Sequence, residues 1–153
     1  MNAPLTKTQT ILATAHERGL QKALPFAGEV TPQEAHFLNT RAGIKIIDVR
    51  FAFEHEYIGR IPGSTLIPWK LVPGGEVNRD FVPELQRLFA PDETVLLLCR
   101  SGVRSHAAAA FATEAGFTQA FNIIGGFEGD LDAQQQRNRV GGWRQANLPW
   151  IQD

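Results

Sequence analysis

The chain of 153 residues has a single cysteine, a single methionine and a single tyrosine, and its charge is almost balanced, with 15 basic against 16 acidic residues. One cysteine excludes an internal disulfide framework and fits a reducing compartment, so a cytoplasmic location is expected. A net charge of -1 argues against nucleic acid or a membrane surface as the main partner. No apolar run approaches membrane-spanning length, and no apolar signal core follows Met1. The length suits one domain with a substantial core and is short for two.

What is present is concentrated around that cysteine. Leu96-Leu97-Leu98-Cys99 closes an apolar run of strand length, and the alanine-rich stretch Ser105 to Ala115 favours helix. Cys99 therefore belongs on a strand-to-helix turn, exposed at the mouth of a site. The first turn of a helix carries amides without intrahelical partners and the positive end of the peptide dipole, so it favours an anion such as a thiolate. Arg100 and Arg104 add cations, Gly102 lets the backbone curl, and no carboxylate occurs between Val95 and Thr113. A lone cysteine ending a strand is otherwise a small buried hydrophobe; the flanking Arg100, Ser101, Gly102, Val103, Arg104 and Ser105 point instead to an anion cradle.

Four blocks in order carry a resemblance to the rhodanese domain, a sulfurtransferase of the single-domain kind. They are Ile46-Ile47-Asp48-Val49-Arg50, Gly59-Arg60-Ile61-Pro62-Gly63-Ser64, Cys99 through Ser105, and Glu114-Ala115-Gly116-Phe117 through Asn122 to Gly125-Gly126. The resemblance implies an α/β fold: a central parallel sheet of about five strands with helices on both faces. It also implies a Cys99 persulfide as the sulfur carrier, with Asp48 and Arg50 as supporting residues. Arg60 and Ser64 depart from the family's usual Gly-His-Ile-Pro-Gly-Ala. The family commonly closes with two glycines, a short spacer, a tryptophan and a helix ending in Leu-Pro, matched here by Gly125-Gly126, Trp143 and Leu148-Pro149.

Along the chain, residues 1–28 read as a helical extension, kinked or broken at Gly19, that packs onto the domain or a second copy. Glu17 and the scarcity of arginine weaken a transit-peptide reading. The domain, 29–153, begins near Val30. Thr31-Pro32-Gln33-Glu34 reads as a capping box with proline at the first helical position, Gly43 ends that helix, and Ile44 to Val49 reads as a buried strand. Asp48 can orient an arginine of the cysteine loop or form a structural ion pair or cap. Glu54, His55 and Glu56 resemble a metal or acid–base cluster, but adjacent side chains do not converge on one point, so a solvated helical face is expected. Thr65 to Pro68 reads as a strand, Lys70 to Asn78 as a loop, and Phe81, Leu85, Leu88 and Phe89 as the core face of a helix. Gly116 caps the alanine-rich helix, and Ala120 to Ile124 is the last strand. Residues 127–142, with Asp130, Asp132, Arg137 and Arg139, look like an insertion on the same edge as Cys99, either a cover over the site or a solvated loop.

The expected chemistry is thiosulfate sulfurtransferase-like. Cys99 takes a sulfane sulfur from a small anionic donor such as thiosulfate and passes it to cyanide, a cellular thiol or a protein sulfur carrier. No cofactor and no metal is called for, and oligomeric state is open. Two other classes remain: a cysteine-dependent phosphatase or arsenate reductase, which the Cys-x4-Arg spacing and the lack of a loop acid disfavour, and a non-catalytic binding module on the same fold.

Overall fold

The computed structural model describes residues 3–153. Helix α1 (Lys7–Gln21) is followed by β1 (Gly28–Val30), α2 (Pro32–Ala42), β2 (Lys45–Asp48), a π-helical turn (Glu54–Ile58), β3 (Thr65–Leu66), α3 (Phe81–Leu88), β4 (Val95–Leu98), α4 (Val103–Glu114) and β5 (Ala120–Ile123). The five strands form one parallel sheet in the order β1-β5-β4-β2-β3. Asp48 lies opposite Leu98, so β2 and β4 end side by side.

Strand alternation divides the core between two faces. Val95, Leu97 and Cys99 join Ile47 and Val49 beneath α3 and α4, while Leu96 and Leu98 join Ile46, Phe121 and Trp143 beneath α1 and α2. Helices therefore cover both faces, which is why β2 and β4 read as continuous apolar runs. From β4 the chain proceeds outward to β5, and from β2 it proceeds outward to β3. Their carboxyl ends thus flank a topological switch point, where open α/β sheets hold ligands.

The capping box at Thr31 forms as expected: Thr31 Oγ1 accepts from the Glu34 amide and Glu34 Oε1 from the Thr31 amide. Other expectations are corrected. Gly19 does not break α1; it lies buried inside one continuous helix. A Cβ there would stand 2.8 Å from the Ala27 carbonyl oxygen and 3.0 Å from the Gly28 Cα, so the glycine permits close approach of helix and strand. Strand β1 is an additional element, too short to show a period. Leu88 is 40% exposed rather than part of the α3 core face, because that helix buries only Phe81 and Leu85 before Phe89 turns inward. After Trp143 the chain forms a short turn, not a longer helix; Ala146 N–H reaches Gly142 O, and the indole Nε1 donates to Pro149 O.

Candidate active site

Cys99 leaves the carboxyl end of β4, and Arg100 to Gly102 turn the chain into α4. Gly102 takes a left-handed conformation (φ 105°), and no side chain caps the helix. The first amides of α4 are consequently free of the two partners that usually satisfy a helix start, an intrahelical carbonyl and a capping oxygen. The Gly102 amide donates to Cys99 Sγ at 3.1 Å. Ser105, fully buried, shares its hydroxyl proton between Sγ at 3.2 Å and Asn122 Oδ1 at 2.6 Å. Asn122 Nδ2 in turn donates to Gly102 O at 3.1 Å, which fixes the orientation of the amide.

The loop carbonyls are engaged elsewhere. Cys99 O accepts from the Phe127 amide at 2.8 Å and Arg100 O from the Glu128 amide at 2.9 Å. A Cβ on Gly126 would collide with Cys99 O and the Arg100 carbonyl, so this approach requires glycine. Residues 127–129 are buried as a result, and the exposed part of the expected insertion begins at Asp130.

Cys99 is only 1% exposed, which corrects the expectation of an exposed thiol. Its side chain follows the β4 alternation into the α4 face of the core, with Val49 and Ala108 in the same cluster. Of the remaining loop residues, Arg100 and Val103 are exposed, Ser101, Gly102 and Arg104 half-buried.

Asp48 does not orient an arginine of the cysteine loop. It accepts from Arg50 Nε at 2.9 Å and Arg50 Nη2 at 2.7 Å, and its Oδ2 lies 2.8 Å from His55 Nδ1. Both Asp48 and Arg50 are fully buried. Burial alone would raise the Asp48 carboxyl, but the bonds from His55 and Arg50 outweigh it and hold the group below the usual carboxylate range. Arg50 also donates to Gly59 O at 2.6 Å, and its guanidinium lies 4.5 Å from the Phe127 ring centre.

The loop arginine is held by Glu54 instead. Arg104 Nη1 and Nη2 meet the two Glu54 oxygens at 2.6 and 3.0 Å, a bidentate pair. Burial pushes the Arg104 guanidinium down, yet the Glu54 bond and charge more than offset this and leave it above its ordinary value. Glu54 is buried and His55 half-buried, so of the three residues of the expected solvated face only Glu56 is exposed. The π-helical turn directs Glu54 and His55 inward to separate partners, and no group of three or more metal-ligating side chains occurs among the described residues.

Above the loop lies a cleft of about 500 Å³. Phe51, Phe53, Ile58 and Pro73 form its apolar wall, and Arg100, Arg104 and Arg137 its cationic side. Its two carboxylates are both engaged, Glu54 by Arg104 and Glu128 by Arg144 at 3.3 Å. Arg137 is tethered through Nη1 to Gly129 O at 2.8 Å. Sequence reasoning missed Glu54 and gave no role to Asn122, although a polar residue inside the apolar run Ala120 to Ile123 was a signal for the latter.

The described residues contain no helix long and apolar enough to cross a membrane. Among solved structures, Rv0390 of M. tuberculosis is similar at 37% identity and a TM-score of 0.71, covering 84% of this chain and 99% of that one. An uncharacterized protein of Rickettsia rickettsii, the RP600 homolog, is 35% identical over 107 residues, 69% of this chain and 80% of its own length. The thiosulfate sulfurtransferase GlpE of Actinobacillus succinogenes is 28% identical over 121 residues, 79% of this chain and 87% of its own. The model of the rhodanese-like domain matches residues 31–133, and with these relatives beside it the chain belongs to the rhodanese-like domain family.

Proposed function

We propose that the protein is a sulfurtransferase in which Cys99 receives a sulfane sulfur, holds it as a persulfide and hands it to a thiophilic acceptor. One observation carries this reading: Sγ faces the Gly102 amide at 3.1 Å at the uncapped start of α4, with two arginines of the same loop lining the cleft above. The thiolate attacks the outer sulfur of the donor, the donor's S–S bond breaks, and the leaving group departs with the electron pair. For thiosulfate that group is sulfite. The terminal persulfide sulfur is an anion one bond beyond Sγ, and the amides of the turn are the donors that stabilise it. Arg100, exposed and on the cleft, recruits the donor; Arg104, clamped by Glu54, fixes the turn.

The same geometry weighs against phosphate-ester cleavage. That reaction needs an acid for the leaving oxygen, and both carboxylates lining the cleft are ion-paired to arginine. Two half-reactions through a covalent intermediate predict ping-pong kinetics. Intact-mass measurement after incubation with thiosulfate tests the reading. The expected result is a gain of one sulfur atom on Cys99, removed by cyanide and absent in Cys99→Ser. Ester turnover with no sulfur gained from any donor overturns it.

A further inference from the structure

The π-helical turn that carries Glu54 is held from outside. A helical turn leaves its last carbonyls without partners in its own ladder, and here each carbonyl from Glu56 to Arg60 is met by a donor from elsewhere. Glu56 O accepts from the Asp153 amide at 3.0 Å, Tyr57 O from Gln152 Nε2 at 2.9 Å, and Ile58 O from Arg144 Nη1 at 3.2 Å. Gly59 O accepts from Arg50 Nη2 at 2.6 Å and Arg60 O from the Ile151 amide at 2.9 Å, while the Arg60 amide donates back to Ile151 O at 2.7 Å. Three of these five carbonyls are thus met by Ile151, Gln152 and Asp153. Arg60, a departure from the usual histidine, closes the contact with its guanidinium on Asp153 Oδ1 at 3.2 Å. The side chains of this last segment bury no core: Ile151, Gln152 and Asp153 are all exposed. What the segment contributes is hydrogen bonding to the turn, not packing.

Resting on the sulfur-transfer reading for its functional consequence, we propose that Ile151, Gln152 and Asp153 form a positioning strap for the cysteine turn. None of the three touches Sγ. They satisfy the carbonyls of the π-helical turn, the turn fixes Glu54 at its start, and Glu54 holds Arg104 through both oxygens at 2.6 and 3.0 Å in the first turn of α4. Without the strap those carbonyls turn to water, the rare π-helical geometry relaxes, and Arg104 loses its fixed counter-charge. The backbone from Cys99 to Ser105 then opens more often.

Hydrogen exchange followed by mass spectrometry tests the strap without reference to turnover. It is compared between the full chain, a chain ending at Trp150, Ile151→Pro, which lacks the amide given to Arg60 O, and Ile151→Ala, which keeps it. Exchange over 54–60 and over 99–106 is expected to be about tenfold faster in the shortened chain and in Ile151→Pro, the change that loss of one or two hydrogen bonds brings. Ile151→Ala keeps the wild-type pattern, and α3 exchanges alike in all four. Faster exchange confined to 54–60, or an equal rise in α3, overturns the proposal. Ile151→Pro added to Glu54→Gln is expected to change exchange over 99–106 no further, since the link is already cut; additive effects overturn the route through Glu54. The rate at which thiosulfate loads Cys99 is expected to fall about tenfold in Ile151→Pro, and a wild-type rate overturns the strap's part in positioning. A wild-type chain that takes sulfur from no donor defeats the sulfur-transfer reading, and the exchange pattern alone then decides the strap.

Discussion

Glu54 is the residue on which the loop geometry turns, although it lies far from Cys99 in sequence. Its carboxylate is 7% exposed and grips Arg104 through both oxygens. Removing one partner of a buried pair leaves the other charge uncompensated, at about 3–5 kcal/mol when burial is complete. Arg104 retains 22% exposure, so solvent reduces that figure, and Glu54→Gln is expected to cost about 2 kcal/mol. The freed guanidinium no longer fixes the turn, and on the proposed function the KM for the sulfur donor rises; urea midpoints and initial rates read the two effects separately. Asp48 makes a prediction of a different kind. Its carboxyl is held below the ordinary range by His55 and Arg50, so its contribution is complete above the unfolded value near pH 4 and disappears as pH falls through the lower folded value. Asp48→Asn lacks that contribution and leaves Arg50 buried without its counter-charge. The stability gap between wild type and variant, about 3–5 kcal/mol near neutrality, is therefore expected to narrow below about pH 4. A gap that stays constant from pH 7 to pH 3 contradicts this account. Taking the difference between the two proteins cancels other carboxylates held low in the fold, such as Glu34 beside Arg18.

At the scale of elements, α1 shows how two opposing terms are decided by magnitude. Replacing a helical glycine by alanine favours the helix by up to about 1 kcal/mol. At Gly19 the added Cβ meets backbone of Ala27 and Gly28, which cannot rotate away as a side chain can, and such overpacking costs about 1–3 kcal/mol. Gly19→Ala is expected to lower the thermal midpoint despite its helix propensity, whereas Leu20→Ala, at a position 78% exposed, changes it little. The same contrast between local and distant causes explains what the sequence revealed. Ile46 to Val49, Val95 to Leu98 and the Thr31 capping box were legible because each is a short-range pattern. The cysteine loop was legible because its residues are contiguous. Glu54 was not, because its partner Arg104 is 50 positions away and the two meet only after β2 and β4 align. Asn122 was obscured in the same way, 17 positions from the hydroxyl it orients. The inward-facing Glu54 and His55 were misread because a π-helical turn directs adjacent side chains differently from an ordinary helical face.

Across the whole molecule, the sheet separates two cores that meet different demands. One, beneath α3 and α4, contains Cys99; the other, beneath α1 and α2, contains Trp143 and the anchor of α1 through Ile11 and Ala15. Arg18 adds a bidentate pair with Glu34 and a bond to Glu29 O, tying α1 to α2 and β1. Burying one large aliphatic side chain is worth about 1.5–3 kcal/mol and a partly exposed ion pair up to about 1 kcal/mol, so removing residues 3–22 is expected to cost about 2–4 kcal/mol. Against a domain stability of about 5–15 kcal/mol, that leaves a folded but weakened protein. The removed helix covers the face opposite Cys99, and none of the hydrogen bonds around Sγ involves it. The shortened chain is thus expected to unfold at lower urea while its folded fraction, on the proposed function, still takes up one sulfur on Cys99 at the wild-type rate. Slower uptake by a fraction whose circular dichroism remains native contradicts that division, and places α1 in mechanical contact with the cysteine turn through β1 and β5, the route by which Asn122 reaches Ser105.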